Sequence, residues 1–224
     1  MKRRTLDIMF SVGGVGLAAL LLVLGLVMTS NANFAKNYTH DQLSAQKIVF
    51  KQKDALTAEE AKSSCLVKYA GQQLTTGKQA ECYANDFIAL HLSEQGKDTP
   101  YAGMTYAELG TPQTALRNQV AAAKKANDPN VATLQKSLDD ITTQRSTTLN
   151  GETLRGLLLT SFGFSVFGDK GAQVATIAYI VAALLALLSL AGFWHAFRTP
   201  VTVAVGEPEH VVPAEPVGAR LAGV

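Results

Sequence analysis

Residues 8–28 read IMFSVGGVGLAALLLVLGLVM, a run of 21 residues without a charged side chain. As a helix with a rise of 1.5 Å per residue, this run covers about 31 Å, which matches the hydrocarbon core of a bilayer. A single segment in lipid must satisfy its backbone hydrogen bonds internally, and only a helix does so. The run therefore predicts a first transmembrane helix.

Residues 172–194 read AQVATIAYIVAALLALLSLAGFW, a second uncharged run of 23 residues. A helix of this length reaches about 35 Å and spans a bilayer with some tilt. Two buried core helices are the alternative, which these lengths disfavour. We therefore expect an all-α membrane protein with two transmembrane helices, which flank a central region.

The basic residues at the start of the chain predict its orientation. Lys2–Arg4 directly precede the first run, and positive charge favours the cytoplasmic side. Residues 1–7 are then cytoplasmic, residues 29–171 extracytoplasmic and residues 195–224 cytoplasmic again, at the plasma membrane. A cleaved signal peptide is the alternative for the first run, but its apolar core would have about 7–15 residues. We favour a retained anchor.

Both predicted spans carry stripes of small residues, which let helix backbones approach closely in lipid. The stripes favour packing of the two spans against each other or against a partner subunit, although small residues are common in such helices in any case. The residues concerned are Gly14, Ala18, Ala178, Ala182 and Ala186.

The region between the runs is nearly neutral, with 15 Lys and Arg against 14 Asp and Glu. A nucleic-acid-binding surface needs a strong basic field, so no nucleic acid partner is expected. The expected partners are the lipid bilayer and, through the membrane helices and the seam described below, a protein partner or a second copy. The proline-rich tail, residues 195–224, is predicted to be disordered.

The predicted extracytoplasmic helical domain comprises residues 29–153. Its first half contains two helix start signals. Thr57 with Glu60, and Thr76 with Gln79, match the capping-box pattern. They predict helices over residues 57–70 and 76–92, which form a hairpin turning at residues 72–75. A short extended segment is expected at residues 48–50.

The two cysteines of the chain, Cys65 and Cys82, lie at similar heights on these antiparallel helices. Outside the cytoplasm a disulfide is allowed, and it would add roughly 3 kcal/mol of stability. Two separate buried thiols are the alternative. We favour the disulfide.

A second helix hairpin is predicted to turn at residues 127–130. Thr111-Pro112 and Asp128-Pro129 each place a capping side chain before a proline at the first helical position. Apolar residues at helical spacing predict that the two helices pair along a seam. These residues are Leu116, Val120, Ala123, Val131, Leu134, Leu138 and Ile141.

Residues 154–168 are strongly apolar but too few to span a bilayer. A single helix from Gly156 to Trp194 would be about 58 Å long, so we predict a separate interfacial or re-entrant segment. Closure of the domain core by this segment is the alternative. The side chains that motivate the interfacial prediction are Leu157, Leu158, Phe162, Phe164 and Phe167.

No catalytic, cofactor-binding or metal-binding residues are predicted. His40 and His91, with Asp41, Asp86 or Glu94, supply the residue types of a site with two histidines and one carboxylate. His91 falls on the apolar stripe of its helix, which favours a structural role. The G-x-G-x-x-A pattern at residues 14–19 lies inside the first span, where no dinucleotide site can form.

Several blocks resemble a known group of proteins. They are residues 37–43 (NYTHDQL), 46–48 (QKI), 68–77 (KYAGQQLTTG), 91–92 (HL) and 151–159 (GETLRGLLL). Together they resemble a group of actinobacterial two-pass membrane proteins of unknown function.

The likeness covers most of residues 8–194 and implies the same two-pass architecture. Some members of the group carry the label of aromatic ring-opening dioxygenase, which would imply a metal-binding histidine set. The two cysteines and the tail depart from the pattern of the group.

From these features we expect a non-enzymatic envelope protein, an accessory or scaffold subunit of a larger membrane assembly. The alternative is an extracytoplasmic module that binds a lipid or another hydrophobic ligand. A metal-dependent ring-opening dioxygenase is the remote alternative.

Overall fold

A computed structural model describes residues 2–200 of the chain. The chain divides into two compact units: residues 1–26 with 176–224, and residues 27–175. We call the first the helix-pair unit, of which residues 2–26 and 176–200 are described, and the second the central unit.

The described residues are mainly helical. Two long helices, α1 and α6, contribute to both units, and short helices fill the central unit. The helices are α1 (Arg3–Ala45), α2 (Ser64–Tyr69), α3 (Gly77–Cys82), α4 (Ala89–Glu94), α5 (Gly110–Ala126) and α6 (Val131–Arg198), with 3₁₀ turns at Lys53–Ala55 and Glu60–Lys62 and a π-helical turn at Tyr83–Ile88. Both α1 and α6 are long and apolar enough to cross a membrane.

In the helix-pair unit, α1 and α6 pack through small side chains. A Cβ atom added at Gly25 would lie 2.5 Å from the ring of Tyr179, and one added at Gly14 would meet the hydroxyl of Ser189. His195 Nδ1 lies 2.9 Å from Asp7 Oδ2. The buried side chains of this unit are therefore small or polar: Ser11, Ala18, Ala178, Ala182, Ser189 and Ala196.

The central unit has an apolar core of the opposite kind. Three leucines, Leu66, Leu74 and Leu109, are fully buried in it. Helix α6 contributes Leu158 to the main core cluster. The expected extended segment is present as an antiparallel bridge between Val49 and Gln73. This bridge fixes the entry of the chain into the short helices.

The second helix hairpin turns where predicted, with Asn127 in the left-handed conformation at the end of α5, but α6 begins at Val131 rather than at Pro129. Polar side chains join the two helices: Gln113 Nε2 donates to Thr142 Oγ1 at 2.9 Å, and Arg145 donates to Gln113 Oε1 at 2.7 Å. In the seam, Val120, Ala123 and Ile141 are buried.

The predicted helix over residues 57–70 is wrong in part. The capping box forms, since Glu60 N–H donates to Thr57 Oγ1 and Thr57 N–H donates to Glu60 Oε2. It opens only a 3₁₀ turn, because Ser63 adopts an extended conformation and caps α2 through its own hydroxyl. Serine competes for backbone donors in this way and favours caps over helix interiors.

The helix predicted over residues 76–92 is present with a change of winding. The Thr76–Gln79 capping box is complete, but a π-helical turn at Tyr83–Ile88 separates α3 from α4. The helix predicted at Thr111-Pro112 begins earlier, at Gly110.

The prediction that residues 154–168 form a separate segment is wrong. They lie inside the continuous helix α6, and Leu158, only 3 % exposed, belongs to the core of the central unit. Leu157 and Phe167 are 62 % and 80 % exposed. One face of this stretch therefore closes the core, which was the alternative, while the other face stays open.

The predicted disordered tail lies mostly outside the described residues. Within them, α6 continues to Arg198, so residues 195–198 are helical rather than part of a tail.

Candidate functional site

An apolar groove lies between α1 and α6 in the central unit, with a volume of about 390 Å³. The groove lies beside the buried Leu158, where the neighbouring side chains Leu154 and Leu157 of α6 are exposed. Apolar side chains from both helices line it, and hydroxyl and amide groups stand among them. The lining residues are Tyr38, Thr39, Gln42, Leu43, Gln46, Leu154, Leu157, Leu158, Thr160, Ser161 and Phe164.

Aromatic rings stand beside this groove. Phe34 stacks on Tyr38 with ring centroids 5.7 Å apart, and Phe164 packs edge-on against Tyr38 at 5.9 Å. Both Phe34 and Tyr38 are exposed. Of the residues predicted to be interfacial, Leu157 and Phe164 line the groove and Phe167 is exposed. Phe162 differs, because the Lys78 ammonium group lies over its ring, 4.7 Å from the ring centroid.

A buried carboxylate, Glu60, forms the charged centre of the core at only 1 % exposure. Lys51 Nζ lies 2.7 Å from its Oε1 atom, and His91 Nε2 lies 3.3 Å from the same oxygen. The ring of Phe87 packs at a tilt against His91, with the ring centroids 4.3 Å apart, and the Lys51 ammonium group lies 5.3 Å from the Phe87 centroid.

The surroundings shift two pKa values in opposite directions. Burial alone raises the pKa of Glu60, but the hydrogen bonds from Lys51 and from the Thr57 N–H group, together with the charges of Lys51 and His91, lower it overall. Burial raises the pKa of Tyr83, and the nearby charge of Glu60 adds to that rise. Glu60 is thus held as a carboxylate inside the domain.

The predicted disulfide between Cys65 and Cys82 is confirmed, with Cα atoms 6.0 Å apart. It joins α2 to the end of α3. Asp86, in the π-helical turn, brings its Oδ2 atom within 2.6 Å of Cys65 Sγ and accepts a hydrogen bond from Ser63 Oγ at 3.0 Å.

The structure does not bring together the five side chains considered for a metal site. His91 contacts Glu60, Asp86 contacts Cys65, and His40 lines a different cavity with Lys36. Within residues 2–200, the set of His, Cys, Asp and Glu side chains that converges is Cys65, Cys82 and Asp86, whose ligand atoms all lie within 4.8 Å of one another.

Sequence reasoning missed the residues around Glu60 and the π-helical turn. Lys51 and His91 lie 9 and 31 residues from Glu60 in the sequence, and no local pattern links them. A capping box at Thr105 and Glu108 was also missed, although its T-x-x-E spacing is visible in the sequence.

No protein-family model, no curated protein and no solved structure matches this chain. Over residues 2–200 the structure defines a mainly helical chain with two long apolar helices and a disulfide between Cys65 and Cys82 in the central unit. The resemblance to actinobacterial two-pass membrane proteins stays a prediction.

Proposed function

We propose that the chain is a two-pass integral protein of the plasma membrane whose central unit binds membrane lipid on the extracytoplasmic side. The observation that supports membrane insertion is the burial pattern of the helix-pair unit. Large apolar side chains such as Leu184, 56 % exposed, cover its outside, and serine and alanine fill its inside. Water disfavours such a surface, whereas lipid accommodates it.

The position of the aromatic residues supports contact with the headgroup layer. Phe34 lies six residues after Met28 in α1, and Phe167 lies five residues before Ala172 in α6. At 1.5 Å per residue these positions are roughly 9 Å and 8 Å beyond the ends of the apolar runs. Headgroups occupy about 5–8 Å on each side of the hydrocarbon core, so both rings lie near the outer edge of this layer.

The groove offers a place for one acyl chain of a phospholipid. Leucine and aromatic side chains line it, and its volume of about 390 Å³ lies in the usual range of ligand sites. Thr160 and Ser161 stand on the α6 side, and their hydroxyls donate to the carbonyls of Gly156 and Leu157 at 2.9 and 3.1 Å. Their lone pairs remain as acceptors for a donor group such as an ammonium headgroup. We infer that a lipid withdrawn from the outer leaflet occupies this groove, because its nearest lining residues, Tyr38 and Phe164, lie roughly 15 Å and 12 Å beyond the apolar runs.

Native mass spectrometry of the protein released from mild detergent tests the lipid proposal. We expect one retained phospholipid per chain in the wild type and its loss in Leu157→Gln, which places an amide in the groove. The matched control is Leu149→Gln, since Leu149 is another exposed leucine on α6 that does not line the groove. Equal lipid retention in all three proteins would contradict the groove as the site.

A topology measurement tests the membrane proposal separately. A periplasmic-type reporter fused near Asp98 should be active, and a cytoplasmic reporter at the same place inactive. A chain that stays in solution after lysis without detergent would overturn insertion itself.

An accessory subunit of a larger membrane assembly, which the sequence suggested, is our second candidate. The small-residue stripes that motivated it include Gly14, Ala178 and Ala182, and these lie against the other helix or are buried within the helix-pair unit. They therefore favour pairing of the two spans. A companion protein recovered in fixed ratio after mild detergent purification would place this candidate first.

A further inference from the structure

The disulfide borders an open cleft of the central unit, with a volume of about 520 Å³. Cys65 is half-buried and Cys82 is buried, so a reagent in the cleft reaches Cys65 first. Lys68 and Lys78 also line the cleft. The disulfide is therefore accessible to reduction by a small thiol.

Three separate pieces of local structure bring Asp86 to this disulfide. Ser63 caps α2 and places Cys65 in its first turn, and its hydroxyl also donates to Asp86 at 3.0 Å. The π-helical turn begins directly after Cys82 and contains Asp86. A π-helical turn is rare and occurs frequently at functional sites, because it reorients side chains within a helix.

The chemistry of the contact between Asp86 and Cys65 depends on whether Cys65 is oxidised or reduced. A disulfide sulfur carries no proton, so it cannot donate to the carboxylate 2.6 Å away. Reduction by two molecules of a thiol R–SH breaks the S–S bond, yields two protein thiols and releases R–S–S–R. Two thiols and one carboxylate then converge, and these donor types suit zinc, which binds thiolates and carboxylates in tetrahedral geometry.

We propose that the reduced protein binds a thiophilic divalent cation, such as Zn²⁺, through Cys65, Cys82 and Asp86. A small disulfide R–S–S–R then reoxidises the two cysteines to the Cys65–Cys82 disulfide, takes up two protons to leave as two R–SH, and so releases the cation. Binding displaces the two thiol protons to solvent, so the ligands carry three negative charges against two on the ion. Lys68 offsets the remaining charge from the cleft, whereas Lys78 is already paired with Glu81 at 3.0 Å. Water from the same cleft supplies the fourth ligand. The bound ion closes the same chain loop that the disulfide closes.

Cobalt binding to the full-length chain in detergent tests this site. The protein is reduced with a phosphine, which is then removed, and Co²⁺ is added under anaerobic conditions. We expect one Co²⁺ per chain, with thiolate-to-cobalt charge-transfer absorption and the intense visible bands of tetrahedral coordination. Zn²⁺ should bleach both. The oxidised protein should give neither signal.

Two variants assign the carboxylate. Asp86→Asn keeps both cysteines and should weaken Co²⁺ binding at least tenfold, whereas Glu81→Gln, a change in the same cleft, should leave binding unchanged. Disulfide formation in air by Asp86→Asn shows that the variant has folded, and Cys82→Ser should abolish the charge-transfer band.

Several results would overturn the proposal. They are a reduced wild type without a charge-transfer band, a reduced chain that has lost its helical circular dichroism, and an oxidised protein that binds Co²⁺ equally well. Undiminished binding by Asp86→Asn would remove the carboxylate from the ligand set.

Discussion

The helix-pair unit and the central unit use parts of the same two helices but bury opposite kinds of side chain. In the helix-pair unit, Ser11 and Ser189 are buried and Leu184 is exposed; in the central unit, Leu66 and Leu74 are buried. Where water is the solvent, apolar burial drives folding. Between helices in lipid that driving force is missing, and close backbone packing replaces it. The contrast supports our proposal that the two units face different solvents.

The largest expected effect compares a buried leucine with an exposed one. Leu74→Ala removes a fully buried side chain from the central unit and should lower the free energy of unfolding by about 2–5 kcal/mol, because it leaves a cavity. Leu184→Ala in the helix-pair unit should change it by less than about 0.5 kcal/mol. Thermal unfolding in detergent measures both. A large loss from Leu184→Ala would remove the contrast between the units.

The second effect comes from the covalent link. Replacing Cys65 and Cys82 together by serine should destabilise the central unit by roughly 3 kcal/mol, since the disulfide limits the unfolded chain. Hydrogen exchange read by mass spectrometry should show faster exchange in residues 64–94 and unchanged exchange in the apolar helices. Equal acceleration of exchange in both units would show that they unfold together, and their different burial patterns would then not give them separate stabilities.

Sequence patterns predicted the features that depend on neighbouring residues. The two apolar runs, the Thr76–Gln79 capping box and the turn at residues 127–130 all follow from local spacing, and the structure contains each of them. The disulfide could be predicted because both cysteines flank one short turn.

Features that depend on distant residues could not be predicted in this way. Glu60 reads as an ordinary capping residue, and only the fold brings Lys51 and His91 to it. The continuity of α6 was missed because residues 154–168 are too few to span a bilayer and a single helix from Gly156 to Trp194, about 58 Å long, exceeds what a bilayer requires. One face enters the core at Leu158 while the other faces outward, and hydrophobicity alone does not distinguish these two environments.

The third effect tests close packing in the helix-pair unit. Gly25→Leu forces a side chain into the ring of Tyr179 and should cost about 1–3 kcal/mol through overpacking. Gly16→Leu is the matched control, because a Cβ at Gly16 meets no atom within 4 Å. Thermal unfolding in detergent should show a lower midpoint only for Gly25→Leu. Matching midpoints for both variants would argue against helix contact at Gly25.

The smallest expected effect is the pH dependence that Glu60 gives to the central unit. Its pKa is lower in the folded protein than in the unfolded chain, so the folded state holds this proton less tightly. The resulting stability is present above the unfolded pKa and is lost as the pH falls through the folded pKa. Glu60→Gln should flatten the acidic part of the stability profile and leave its shape near neutrality unchanged.

Glu108→Gln provides the control, because the pKa of Glu108 is also lowered, by hydrogen bonds from Thr105, but its side chain lies at the surface, where water already solvates the charge. An acid profile that Glu60→Gln leaves untouched would mean that Lys51 and His91 stabilise the fold without favouring the ionised carboxylate. The charged centre of the central unit would then owe its stability to packing, as the helix-pair unit does.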